Sequence, residues 1–331
     1  MIKNISLVTG GAGFIGSNLV DYLISKNHTV VVLDNFSTGR MSNLNKHKKN
    51  LKIIKVDIAK QKNLKKYFRN VKYVFHLAGL ADIVPSIKKP RSYFSSNVAG
   101  TLNVLEASRA SKIKKFIYAA SASCYGLPKK FPVKENAKSD PMYPYALTKW
   151  QGEELVLHWA KIYKIPSISF RFFNAYGPRS RTTGAYGAVF GVFLAQKLAN
   201  KPLTIVGDGT QTRDFIYVTD LVRALFAGAL SNKKAEIYNI GGGKEVTINK
   251  IAKLIQDKVV YIPKRPGEPN RSLADISKIK KDLNWRPKVG IEEGVKKLLN
   301  NISYWNNAPV WTPKKIKIET KIWFQLLSKK K

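Results

Sequence analysis

Tyr145 and Lys149 stand four residues apart in Tyr145-Ala-Leu-Thr-Lys149, in a segment that reads as the start of a helix. Residues at i and i+4 share one helix face, which puts an ammonium beneath a phenol. A tyrosine is a poor base at its ordinary pKa of about 10. A fixed cation beside it stabilises the phenolate and lowers that value, so the pair suits removal of a proton from a hydroxyl group. By itself Tyr-x-x-x-Lys occurs by chance on exposed helices, so the remainder of the chain has to support the reading.

The elements around this pair follow one pattern. The apolar stretch Ile2 to Val8 runs into Gly10-Gly11-Ala12-Gly13-Phe14-Ile15-Gly16, after which Leu19, Val20, Leu23 and Ile24 recur at helical spacing. A second strand, Thr29 to Leu33, ends at Asp34. Gly10 permits a tight turn, Gly13 lets backbone amides approach a pyrophosphate at the helix N-terminus, and Gly16 allows the helix to pack closely on the strand. Asp34 is placed to accept a hydrogen bond from a ribose 2'-hydroxyl, and Asn35 beside it, rather than an arginine, favours NAD over NADP. Arg40 is the residue that argues the other way.

The alternation continues. A strand from Leu51 to Val56 ends at Asp57 and Ile58, and a polar helical stretch is expected over Lys60 to Phe68. The strand Tyr73 to His76 leads into Leu77-Ala78-Gly79, small enough to let backbone lie against a flat cofactor. A helix is expected from Ser92 to Ala110, containing Asn97, and Phe116 to Ala120 is the next strand, ending at Ser121-Ala122-Ser123-Cys124-Tyr125-Gly126. Beyond the Tyr145 helix, Pro166 to Phe172 is a further strand. Strands alternating with helices predict an α/β fold, a Rossmann doubly wound parallel sheet with ligands at the carboxyl ends of the strands. Ser121 and Tyr145 both fall at that edge. The regular alternation stops at Pro178. The expected division is a Rossmann domain over residues 1–178 and a smaller C-terminal α/β substrate-binding domain over 179–331, with segments crossing back to the main domain.

Bulk properties narrow the classes. With 58 Lys and Arg against 21 Asp and Glu, the net charge is +37. Such a balance raises nucleic acid as a partner. The lysines are dispersed, however, as at Lys46 to Lys49, Lys60 to Lys66 and Lys278 to Lys281, without the interleaved aromatics of a stacking platform, so a solvated surface is expected and no nucleic-acid partner. The single Cys124 rules out a disulfide framework within the chain, and no His/Cys cluster has metal-ligand spacing. The longest nearly apolar run, Ala185 to Ala195, is too short to span a bilayer, and no targeting segment is evident, so a cytoplasmic setting is expected. Thr312 and Pro313 read as the N-cap and first residue of a C-terminal helix with Ile316, Ile322, Trp323, Leu326 and Leu327 on one side. Such a helix docks on its own domain or a second subunit more often than on a membrane.

With the glycine loop, Ser121 and Tyr145 to Lys149 in this order, the chain resembles the extended short-chain dehydrogenase/reductase family, in particular its NAD-dependent nucleotide-sugar epimerases. Arg171-Phe-Phe-Asn-Ala-Tyr-Gly-Pro178, Arg213-Asp-Phe-Ile-Tyr-Val218 and Arg265-Pro-Gly-Glu268 with Ala274-Asp275 extend the likeness over nearly the full length. The resemblance implies that NAD is held by the glycine loop, Asp34, Asn35, Asp57, Ile58, Leu77 to Gly79, Asn97, Tyr145, Lys149 and Phe172. It implies a substrate hexose on UDP or a similar nucleotide, its 4'-hydroxyl held by Ser121 and Tyr145 beside Ser123. Tyr145 takes the hydroxyl proton while C4' is oxidised, and the 4-keto sugar turns over and is reduced on its other face. Asn174 and Arg213 are expected at the diphosphate, and Arg265 and Asp275 at the nucleotide end. A homodimer is also implied. The dehydratase branch carries an acid pair after the Ser121 position, and decarboxylase relatives a glutamate at 123, whereas this chain has Ala122 and Ser123; epimerisation is therefore expected. Ser272 is small where a bulky aromatic marks epimerases restricted to plain hexoses, which keeps UDP-glucose/galactose, UDP-GlcNAc/GalNAc and UDP-glucuronate all open. A dehydratase, reductase or 3,5-epimerase is the alternative enzyme, and an RNA-binding member without catalysis the more distant one.

Overall fold

Parallel strands covered on both faces are largely apolar, and the inner strands of the N-terminal half follow that pattern. Leu7 and Val8, Val30 and Val32, Val74 and Phe75, and Phe116 and Ile117 are each no more than 1% exposed. The computed structural model describes residues 4–44, 49–61, 63–180 and 189–328. In chain order the elements are β1 (Ile5–Thr9), α1 (Phe14–Ser25), β2 (Thr29–Asp34), β3 (Leu51–Lys55), β4 (Val71–His76), α2 (Ile83–Lys88), α3 (Pro90–Phe94), α4 (Gly100–Ala110), β5 (Lys115–Ser121), α5 (Pro144–Ile162), β6 (Ser167–Phe172), β7 (Asn174–Tyr176), α6 (Val189–Leu198), β8 (Leu203–Val206), β9 (Thr212–Tyr217), α7 (Val218–Leu230), β10 (Glu236–Ile240), β11 (Glu245–Thr247), α8 (Ile248–Ile255), β12 (Val259–Ile262), α9 (Ser277–Leu283), α10 (Ile291–Leu299) and α11 (Pro313–Leu327).

The main sheet has seven parallel strands in the order β10-β6-β5-β4-β1-β2-β3. The order reverses between β1 and β4, so their carboxyl ends flank the crevice where a doubly wound sheet binds its ligand. One core layer joins this sheet to α1 and α7 through Leu19, Leu23, Phe170, Leu221 and Leu225, and the opposite layer gathers Leu7, Val74, Leu105, Phe116 and Val156. A third core is built on Tyr176, Phe190, Phe193, Phe215 and Trp305. It underlies a three-stranded sheet, β11-β9-β7, and the parallel pair β12-β8.

Two expected helices are corrected. The Lys60 to Phe68 stretch forms only a 3-10 turn at Lys65–Tyr67 among its described residues. Leu64 and Phe68 are buried there, but the lysines between them supply no continuous apolar face for a helix to bury. The expected Ser92 to Ala110 helix starts at Pro90 and is interrupted by a π turn, Ser95–Ala99, which holds Asn97. The strand Ile237 to Ile240 belongs to the main sheet: β10 pairs in parallel with β6, and Tyr238, Asn239 and Ile240 are fully buried. The chain thus leaves the main sheet at β6, builds part of the smaller region and returns. α6 begins at Val189, and Lys46 to Lys48 and the first four residues of the Ala185 to Ala195 run lie outside the described residues.

Candidate active site

The glycine loop is shaped by contacts that admit no side chain. Gly10 has φ +69°, and a Cβ there would stand 2.7 Å from the Ala78 backbone nitrogen. A Cβ on Gly16 would press on the backbone of Gly10 and Gly11. α1 therefore starts directly above the loop. Its N-cap, Gly13, makes no side-chain cap, and its first turn holds no acidic residue, so the helix terminus faces the crevice with its amides and its positive dipole end. Asp34 Oδ2 accepts from Ala12 N (2.9 Å) and Oδ1 from Phe36 N (2.8 Å). The carboxylate thus braces the loop while lining the cavity. Burial raises its pKa and these two amides oppose the rise. Asn35 Nδ2 reaches Asp57 Oδ2 at 3.3 Å, joining the ends of β2 and β3.

One cavity of about 700 Å³ takes in the loop, Asp34, Asn35, Asp57, Ile58, Leu77, Ala78, Gly79, Ser121, Ser123, Tyr145, Lys149 and Phe172. It continues to Asn174, Arg213, Arg265 and Ser272. Two expected residues stand apart from it. Asp275 Oδ1 instead accepts from Ser277 N (2.8 Å) at the start of α9. Asn97 is 1% exposed, and its amide is committed to protein groups: Oδ1 accepts from Leu80 N (2.8 Å), and Nδ2 donates to Leu80 O (3.0 Å) and Thr148 Oγ1 (3.1 Å). It ties the segment after β4 to the residue preceding Lys149.

His76, which the sequence did not single out, continues this network. Thr101 donates its hydroxyl proton to Asn97 O (2.6 Å), so its oxygen can only accept from His76 Nε2 (2.8 Å). That fixes the Nε2–H tautomer, leaving Nδ1 to accept from Thr9 Oγ1 (2.7 Å), whose oxygen takes the Ala78 N–H (3.1 Å). Burial, with Lys149 nearby, pushes the His76 pKa down to about 3, so the ring is neutral.

At the catalytic end Ser123 Oγ lies 2.8 Å from Ser121 Oγ, and Ser123 N donates to the same oxygen at 3.2 Å. Tyr145 sits in the first turn of α5, stacked on Tyr143 with ring centroids 6.3 Å apart. The electrostatics differ from the sequence-based expectation. Burial raises the Tyr145 pKa, and hydrogen bonds from Ser121 and then Ser123 are what oppose it. Lys149 is 7% exposed; burial lowers its pKa to about 7 against the attraction of Glu153. Its Nζ lies 4.5 Å from the Tyr118 ring centroid. A desolvated lysine near its own midpoint is a weaker cation than the spacing alone implied.

The far end is cationic and internally paired. Arg213 Nη1 donates to Thr212 O and Pro269 O (2.8 Å each), and Nη2 contacts Glu268 at 3.0 Å. Arg265 Nε lies 3.3 Å from the other Glu268 oxygen. Asn174 Nδ2 donates to Asp214 O at 3.2 Å. Tyr143, Glu268, Arg271, Trp311 and Trp323 also line the cavity and were not among the expected site residues. Glu268 had a visible signal, since it stands in the Arg265-Pro-Gly-Glu268 segment; the tryptophans arrive from the C-terminus and had none. Among the described residues no cluster of metal-ligating side chains is present, and no helix is long and apolar enough to cross a membrane.

A glycine cradle, a Ser/Tyr/Lys group and two arginines share one crevice, an arrangement suited to a dinucleotide and an anionic group. Residues 7–298 match the family model described as GDP-mannose 4,6 dehydratase. The chain is 38% identical over 302 residues to a putative UDP-glucose 4-epimerase of Methanocaldococcus jannaschii, covering 89% of this chain and 97% of that one. It is 32% identical to a UDP-N-acetyl-alpha-D-glucosaminuronate decarboxylase of Bacillus cytotoxicus, covering 90% and 97%. The structure of UDP-N-acetylglucosamine 4-epimerase from Methanobrevibacter ruminantium, solved with UDP-N-acetylmuramic acid, superposes with a TM-score of 0.85 at 35% identity, covering 91% of this chain and 100% of that one. The chain belongs to the extended short-chain dehydrogenase/reductase family, within its nucleotide-sugar epimerases and dehydratases.

Proposed function

We propose that the protein is an NAD-dependent epimerase acting at C4' of a nucleotide sugar, with a UDP-linked hexose or its N-acetyl or carboxylate derivative as substrate. The observation that carries this reading is the Ser121, Ser123 and Tyr145 group, which offers hydroxyls to one substrate hydroxyl and no acid at 122 or 123. Elimination of water needs a general acid and base beside the departing hydroxyl, and decarboxylase relatives keep a glutamate where Ser123 stands. The Gly10 to Gly16 cradle, the α1 terminus and Asp34 fit a pyrophosphate-linked dinucleotide, and NAD held by them would supply a reversible two-electron acceptor.

Each residue then has a task. Ser121 orients the 4'-hydroxyl and Tyr145 takes its proton during oxidation, returning it after the 4-keto sugar has turned over. Lys149, four residues on along α5, favours the phenolate in proportion to the charge it carries. Arg213 and Arg265 hold the diphosphate with charge-assisted bonds, and Ser272 leaves room for a substituted sugar. The test is a panel of UDP-, GDP-, CDP- and dTDP-sugars followed for exchange at C4' without added NADH, alongside the cofactor released on denaturation. Tyr145→Phe is expected to abolish turnover with NAD still bound. Undiminished turnover in that variant, or dependence on added NADH, overturns the assignment.

A further inference from the structure

The C-terminal helix supplies part of the cavity wall beside the two arginines. Its start is fixed by the Thr312 side chain, which accepts from Lys315 N at 3.3 Å, and by Pro313 at the first position. Ile316, Thr320 and Trp323, spaced by four and three residues, are 4%, 2% and 3% exposed, so one face of α11 is seated on the protein while Ile318 and Leu326 stay in solvent.

Three contacts give that seat its position. Glu319 pairs with Lys88 of α2 at 2.9 Å, and α2 continues directly from Leu80 to Asp82, which line the cavity on its cofactor side. The Trp323 indole N–H donates to Pro266 O at 2.8 Å, and the Arg265 guanidinium carbon lies 5.2 Å from the Trp323 ring centroid. α11 is therefore fastened both to the segment after β4 and to the backbone next to Arg265.

The Arg265 to Arg271 segment contains no helix or strand and turns at Gly267, with φ +68°. Arg213 holds it from one side through Pro269 O and Glu268. Trp323 holds it from the other. A guanidinium laid on an aromatic face loses part of its rotamer freedom before a ligand arrives.

We propose that Trp323 is a positioning residue for the nucleoside-diphosphate part of the substrate, and that α11 acts as a strap holding Arg265 ready for the phosphates. The proposal rests on the nucleotide-sugar reading above. Its chemistry is specific: the ring bears the guanidinium and the indole N–H fixes the loop, so the two contributions separate by substitution.

The experiment uses the full-length protein with its cofactor. Calorimetry with UDP, GDP, CDP and dTDP identifies the nucleotide that wild type binds, and its Kd is then measured for Trp323→Phe, Trp323→Leu, Arg265→Leu and Trp323→Leu/Arg265→Leu. Expected values are about 5-fold weaker binding for Trp323→Phe and 20-fold or more for Trp323→Leu. KM is expected to rise in parallel while kcat and NAD content change less than about 3-fold. In the Arg265→Leu background the Trp323→Leu change adds little, because the residue it positions is gone. Additive effects of the two substitutions, or an unchanged Kd in both Trp323 variants, overturn the strap and leave the nucleotide-sugar reading standing. A fall in NAD content and kcat together, with Kd unmoved, assigns Trp323 a structural role only. Should Trp323→Leu not fold, the same cycle is run with Trp323→Phe. If wild type carries NAD but binds none of the four nucleotides, the functional reading falls and the proposal with it.

Discussion

Replacing Lys149 with methionine is expected to abolish turnover and to stabilise the fold at neutral pH. Lys149 is 7% exposed, and burial brings its pKa from 10.5 to about 7. At roughly 1.4 kcal/mol per unit, holding the ammonium in place opposes folding by on the order of 4–5 kcal/mol wherever it is charged in both states. The contact with the Tyr118 ring at 4.5 Å is worth ~1–2 kcal/mol in the opposite direction and is lost with the charge. The expected net gain at pH 6.5 is therefore about 2–4 kcal/mol. Its pH dependence has a definite sign. Between pH 7 and 10.5 the folded chain binds fewer protons at this residue than the unfolded chain, so wild type gains stability with rising pH while the variant gains none there. The advantage of the variant is greatest at and below pH 7 and narrows by roughly 2–3 kcal/mol by pH 9.5. Urea unfolding of both proteins at pH 6.5, 8 and 9.5, at matched NAD occupancy, measures the difference, and other titrating groups cancel in it. A difference that does not vary with pH, or one favouring wild type at pH 6.5, refutes the argument.

Two further variants probe the scaffold. Gly10→Ala puts a Cβ 2.7 Å from Ala78 N at φ +69°, and NAD retention measured after dialysis is expected to weaken at least about tenfold, given ~1–2 kcal/mol of left-handed strain before any clash; full retention sinks the assignment of the loop. Glu153→Gln leaves Arg171, 4% exposed, without the carboxylate it meets at 2.5 Å, and should destabilise the protein by about 3–5 kcal/mol in urea unfolding; a loss below about 1 kcal/mol would show that the pair is dispensable.

Local chemistry was legible in the sequence. The Gly10 to Gly16 turn, the Asp34 terminus and the placement of Ser121 at a strand end depend on residues within a few positions of one another, and the cavity contains them all. Thr312 and Pro313 marked the start of α11 for the same reason. What escaped depends on contacts across the chain. β10 looked like part of the smaller region because nothing in Glu236 to Ile240 names its partner, and the register with β6 is set by burial on both faces. Asn97 sits in a π turn that no periodicity announces, and its partners are 17 and 51 residues away. The lowered Lys149 pKa is invisible in the sequence because spacing reports which face a residue shares, whereas desolvation depends on what covers that face. Asp275 lies outside the cavity lining, its Oδ1 accepting from Ser277 N two residues on.

The charges inside the protein follow one rule: the groups that hold the site together are neutral or cancelled by a neighbour. His76 is pushed down to about 3 and works only through one fixed tautomer between Thr9 and Thr101. Arg171 is matched by Glu153, which also accepts from Ser169 Oγ at 2.7 Å. Glu268 lies between Arg213 and Arg265, so two cations share one carboxylate. That unequal sharing differs from the others. A matched pair in a dry interior gains nothing from a new anion, whereas the Arg213, Glu268 and Arg265 group is the one that the proposed diphosphate would join. The shared carboxylate at Glu268 thus differs in kind from the one-to-one pair at Arg171. The Arg213, Glu268 and Arg265 group is also where α11 reaches the wall, since Trp323 lies against Arg265, and this is why the proposed strap is tested there.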